Sequence, residues 1–96
     1  MRLAEFQDLM RRTYLERDER RGLDASFRRL VEEVGELART LRHEDSASRD
    51  EEFGDTLAWL ASVANLAGVD LEAAAERYEG GCPKCGSIPC ACAFGS

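Results

Sequence analysis

No proline occurs before position 83. Proline removes a backbone donor and clashes with the preceding turn, so it ends or kinks helices, and residues 1–82 carry no such break. Within them apolar side chains recur at three- and four-residue steps, the period of an amphipathic helix. Leu3, Phe6, Met10, Tyr14 and Leu15 mark one stripe, which predicts a first helix over about residues 3–20 that Arg21 and Gly22 end. Phe27, Leu30, Val31, Val34, Leu37, Ala38 and Leu41 mark the expected buried face of a second helix. Asp24 or Ser26 is its expected N-cap, and His43 is read as a cap or surface residue near its end. Residues 44–49 are polar and aperiodic and read as a loop. A third helix is expected from Ser48, which has capping-box spacing to Glu51, through Phe53, Leu57, Leu60, Ala61, Ala64 and Leu66 to a stop at Gly68. Asp70 then caps a short fourth helix through Leu71, Ala74, Ala75 and Tyr78. The expected fold class is all-α, built on the hairpin of the second and third helices. A chain of 96 residues buries a modest core by itself, and helical hairpins commonly close by packing on a copy of themselves. A homodimer or homotetramer is therefore expected.

Charge divides the chain. The net charge is −6, all nineteen acids lie at or before Glu79, and Lys84 is the only charged side chain beyond it. An acidic body lacks the basic face that nonspecific nucleic-acid binding requires, so no nucleic-acid partner is expected. No run approaches the ~20 apolar residues of a membrane span, and no secretory-type apolar run follows Arg2 and Leu3. A cytoplasmic location without a membrane partner is the expectation. The composition shift puts a helical domain at residues 1–79 and a cysteine-rich tail at residues 80–96.

The acids are patterned as well as numerous. The second helix carries Glu32-Glu33-Val34-Gly35-Glu36 and the third Glu51-Glu52-Phe53-Gly54-Asp55. Glu33 and Glu36 are three residues apart, as are Glu52 and Asp55, so each pair shares a helix face. Packing of the two helices brings the pairs together, and converging carboxylates repel unless protons or cations neutralise them. Hard oxygen donors with no nearby histidine favour Mg²⁺ or Mn²⁺ over zinc. Mg²⁺ typically joins one or two carboxylates to substrate phosphates, which fits a nucleotide polyphosphate. Gly35 and Gly54 each cost a helix about 1 kcal/mol relative to alanine, and close approach of a helix or a substrate is the expected reason for them. Trp59 lies four residues after Asp55, on the same face, where it can stack on a base or fill the core.

These two motifs resemble those of the MazG-like all-α nucleotide pyrophosphohydrolases, whose signature is Glu-Glu-x-x-Glu on one helix and Glu-x-x-Asp on the next. The likeness covers about residues 1–79. It implies a dimer or tetramer and Mg²⁺-dependent cleavage of NTPs or dNTPs between the α- and β-phosphates. By position, Glu33, Glu36, Glu52 and Asp55 match the metal ligands, and Glu32 matches the first acid, which orients or deprotonates water or holds an outer metal. Trp59, Asn65 and Arg77 are the candidates for substrate contacts. The chain departs from the family after the third helix, where a lysine with a nearby arginine or asparagine is common and Arg77-Tyr78 stands instead.

The tail reads C-x2-C-x4-C-x-C, with Cys82, Cys85, Cys90 and Cys92. Its Cys-Pro-x-Cys-Gly element resembles the knuckle of zinc ribbons. Four thiolates suit structural Zn²⁺, and with a cytoplasmic location metal binding is preferred to disulfides. The spacing leaves open whether one chain or two supply the ligands, and Phe94 is a candidate anchor for the tail. The rival to an enzyme is a noncatalytic helical interaction module with a zinc-stabilised tail.

Overall fold

The computed structural model describes residues 1–42 and 46–93. His43 and Phe94, to which the sequence assigned a helix end and an anchor, lie outside the described residues. The elements are α1 (Leu3–Arg21), α2 (Leu23–Thr40), α3 (Ser46–Ala67), α4 (Leu71–Ala75) and a 3₁₀ turn, Glu76–Tyr78. The fold is all-α, with no strand among the described residues. Among the described residues no single helix is long and apolar enough to cross a membrane.

Two expected starts move. Gly22 alone separates α1 from α2: its N–H donates to the Asp18 carbonyl at 2.8 Å and its own carbonyl accepts from Ser26 N–H at 3.1 Å. Its φ of +89° is one that side-chain-bearing residues rarely adopt. Gly22 is therefore the N-cap of α2 and neither Asp24 nor Ser26 caps it; Ser26 is fully buried inside the first turn. The third helix begins at Ser46, two residues before the expected Ser48. Ser, Ala and Arg tolerate helix well enough to continue it outward without an apolar period to announce it. The other end holds as expected: Gly68 takes φ +72° after Ala67, and the Asp70 carboxylate accepts from Ala73 N–H at 3.2 Å at the start of α4.

α3 is the central element, packed along α2 on one side and α1 on the other. A polar clasp ties α1 to the end of α3. Gln7 is buried, donates to Asn65 Oδ1 at 3.0 Å and to the Val69 carbonyl at 2.7 Å, and accepts from Leu71 N–H at 2.8 Å. Among the described residues the buried apolar core is small, consisting of Ala61 and Ala64. The face expected to be buried on α2 is covered only in part. Leu30 and Leu37 are half-buried, whereas Phe27, Val31, Val34 and Leu41 are at least 50% exposed. On α3, Phe53, Leu57 and Leu60 are likewise exposed. The physical reason is width: the stripe on α2 is broader than one neighbouring helix can cover. The two helices thus leave a row of large apolar side chains uncovered by this chain.

Candidate metal centre and adjoining cleft

The α2–α3 hairpin brings Glu33, Glu52 and Asp55 together, with one carboxylate oxygen from each within 4.8 Å of the others. Glu33 and Glu52 are half-buried and Asp55 is exposed. The Glu52 carboxyl is pushed up to about 7. A proton held between it and Glu33 is the largest cause, followed by burial and then the charges of Glu33, Asp55 and Glu36. With both groups ionised neither can donate, and Glu52 Oε2 is then buried without a hydrogen-bond partner, as is the hydroxyl of Thr56 one turn on. Such a group is costly unless something cationic or protic satisfies it.

Glu36 is near enough to act on Glu52 electrostatically, but its carboxylate is bonded to Arg39 at 2.6 Å and faces solvent. Glu32 also lies outside the cluster, held by Arg29 at 2.6 Å. The same guanidinium stands 3.8 Å from Glu33 and 5.1 Å from the centre of the Trp59 ring. An added Cβ at Gly35 or Gly54 meets nothing within 4 Å. The close helix approach expected at these glycines is not made within this chain.

Beside Asp55 opens a cleft of about 230 Å³ lined by Tyr14, Arg17, Asp18, Arg21, Asp55 and Trp59 among others. Arg21 sits 4.7 Å above the Trp59 ring and donates to Asp18 Oδ1 at 2.9 Å and Ser26 Oγ at 3.2 Å. Asp18 is 2% exposed, and its Oδ2 has no partner. Sequence reasoning placed Trp59 on the acidic face but overlooked Asp18, Arg17 and Arg21. One signal was available: Asp18 follows Met10 and Tyr14 at four-residue steps, where the stripe of α1 calls for an apolar residue. Asn65 and Arg77 do not line this cleft. Asn65 accepts from Gln7 and from Arg11 at 3.1 Å, and Arg77 lies in the 3₁₀ turn with its guanidinium 5.5 Å above Tyr78.

A second cluster stands in the tail, where the four cysteine sulfurs lie within 4.8 Å of one another. The Cys85 thiol is pulled down to about 6 by the backbone N–H groups of Ala91 and then Ser87, while Cys92 is pushed up to about 11 by its neighbours, Cys90 first.

The family model of the MazG nucleotide pyrophosphohydrolase domain matches residues 21–83, which take in α2, α3 and all five motif acids. The uncharacterised protein YpjD of Bacillus subtilis (strain 168) is similar: 41% identical over a 63-residue alignment that covers 55% of this chain and 57% of the relative. The chain thus spans a little over half the length of the curated relative it matches. Two spaced acidic motifs, their convergence across a helical hairpin and a domain match over most of the chain agree: the protein belongs to the MazG family of nucleotide pyrophosphohydrolases.

Proposed function

We propose that this protein hydrolyses a nucleoside triphosphate, NTP or dNTP, to the monophosphate and pyrophosphate with Mg²⁺ or Mn²⁺ bound at the acidic cluster. The observation that carries the reading is Glu52, whose buried oxygen lacks a partner in the middle of three converging carboxylates from two helices. A donor set made only of carboxylate oxygens fits a hard divalent cation. Glu33, Glu52 and Asp55 would hold it, with Glu36 joining when its side chain leaves Arg39. Once bound, such an ion neutralises phosphoryl charge and lowers the pKa of water.

The protein's own residues supply position and field. Arg29 anchors Glu32 and steadies Glu33, so that the first acid of the motif stands at the edge of the cluster, suited to orienting water. Arg17 and Arg21 place positive charge in the cleft beside Asp55, suited to phosphate oxygens, and Trp59 offers a ring for stacking on a base. Asp18 fixes Arg21 against that ring. A second copy of the chain covers the exposed apolar row of α2 and α3, which gives the homodimer or homotetramer.

Incubation with each NTP and dNTP plus Mg²⁺, followed by assay of pyrophosphate, tests the activity. Turnover that disappears in Asp55→Asn while helicity persists supports it. No turnover of any nucleotide together with no Mg²⁺ binding leaves the noncatalytic interaction module. Sedimentation tests the assembly: Phe53→Asp is expected to shift the protein to a monomer, and a wild-type monomer would refute it.

A further inference from the structure

The carboxylate centre leaves the tail unused, yet the tail is built with care. Gly86 N–H donates to the Cys82 carbonyl at 2.6 Å and Cys82 N–H to the Ser87 carbonyl at 3.1 Å, which closes a tight loop around the first two cysteines. Gly81 takes φ +103°, and a Cβ there would stand 2.5 Å from Ile88 and 2.8 Å from the Ser87 carbonyl, so only glycine lets the chain fold back on itself. Beyond these contacts the segment has almost nothing apolar to hold it, since Ile88 is 80% exposed.

We infer that Cys82, Cys85, Cys90 and Cys92 of one chain bind a single Zn²⁺ ion as a tetrahedral tetrathiolate centre, and that the metal holds residues 81–93 in their fold. The geometry supports each part. A tetrahedron with Zn–S bonds of about 2.3 Å has sulfur–sulfur edges of about 3.8 Å. The Cys82–Cys92 and Cys85–Cys90 pairs stand at 3.6 and 4.0 Å, well beyond the ~2.05 Å of a disulfide. Backbone N–H groups point at sulfur as they do at thiolate ligands: Ala91 to Cys85 at 3.2 Å and Cys92 to Cys90 at 3.4 Å. Outer contacts of this kind orient metal ligands. The four sulfurs of one chain already converge within 4.8 Å of one another, which favours an intramolecular centre over a shared one. With no carboxylate or histidine in the set and no open position, the ion is structural.

The test uses the full-length chain purified under reducing conditions from zinc- and iron-replete medium. The expected result is one zinc per chain by elemental analysis, replaceable by Co²⁺ with the d–d and sulfur-to-metal bands of a tetrahedral thiolate complex. Cys85→Ser and Cys90→Ser should each lose stoichiometric zinc while far-UV helicity stays. Lys84 is the only trypsin site after Arg77, so cleavage there, read by mass spectrometry, should be slow with zinc and fast after chelation. A metal-free tail, iron in place of zinc, one zinc per two chains, or equal cleavage at Lys84 with and without metal would overturn the proposal. None of these measurements involves the helical carboxylates, so the hydrolase reading stands or falls separately.

Discussion

The acidic cluster and the thiol cluster each gather chemically alike groups, but they are assembled in opposite ways. The thiols come from eleven consecutive residues, 82–92, folded by a glycine turn and short backbone bonds. The acids come from two helices, with Glu33 and Glu52 nineteen positions apart in sequence, and they meet because the hairpin packs. If the local cluster binds zinc as inferred, the ion holds a segment that has little apolar packing of its own. A cluster carried on helices is positioned by their packing, and the hydrogen bond with Glu33, burial and the neighbouring acids together raise the Glu52 carboxyl. The first arrangement suits a permanent metal, the second one that arrives with substrate.

The largest effect that would sharpen this contrast is catalytic. If these acids hold the cation as proposed, Asp55→Asn or Glu33→Gln weakens the hold on an ion whose charge stabilisation is worth several kcal/mol, so pyrophosphate release should fall at least about 100-fold, with the circular dichroism of the helices unchanged. Activity within a few-fold of wild type would break the assignment of these acids.

Next comes a control inside the helical body. Asp18 is only 2% exposed, and it has an arginine partner where the charges acting on Glu52 are those of other acids. Arg21→Ala removes the arginine partner of that carboxylate in the cleft. Full burial of both partners would cost about 3–5 kcal/mol, and the partial exposure of Arg21 reduces this to about 2–3 kcal/mol. Urea unfolding measures it, and no change in midpoint would show that the cleft does not depend on the pair.

A smaller effect is the pH dependence of the metal-free fold. The folded protein holds the Glu52 proton up to about pH 7, whereas its ordinary value is 4.5. Between those values the native state binds more protons than the unfolded chain, so stability falls as pH rises through this window. In a chelator, Tm should therefore drop from about pH 5 to about pH 8 on account of this group. Glu52→Gln should flatten the drop, and excess Mg²⁺ should reverse it. A wild-type slope retained in Glu52→Gln would remove Glu52 as its source. Smallest of all, Gly35→Ala and Gly54→Ala should each stabilise the isolated chain by up to about 1 kcal/mol, because open space surrounds both positions. If turnover falls while stability rises, a substrate or a second copy occupies that space.

Much of the fold is legible in the sequence. Helix periods, the stop at Gly68 and the cap at Asp70 are local events, decided by side chains within a few residues of one another. The start of α2 was misread because Asp24 and Ser26 are good caps in isolation, yet the Gly22 joint and the burial of Ser26 beneath Arg21 override them. The pairing of Glu33 with Glu52 and Asp55 was legible from i, i+3 spacing on adjoining helices. The diversion of Glu36 to Arg39 and Glu32 to Arg29 was not, because each acid has an arginine three residues away and only packing decides which partner wins.

Residue type and spacing alone determined the all-α class, the two acidic helix faces and the cysteine knuckle, since each follows from short-range periodicity and ligand chemistry. Tertiary structure decided that α1 contributes to the cleft through Asp18 and Arg21, that Asn65 serves the clasp with Gln7, and that a row of apolar side chains on α2 and α3 stays uncovered. Those outcomes depend on how far one helix face extends over another, a property of three-dimensional packing that no window along the chain contains.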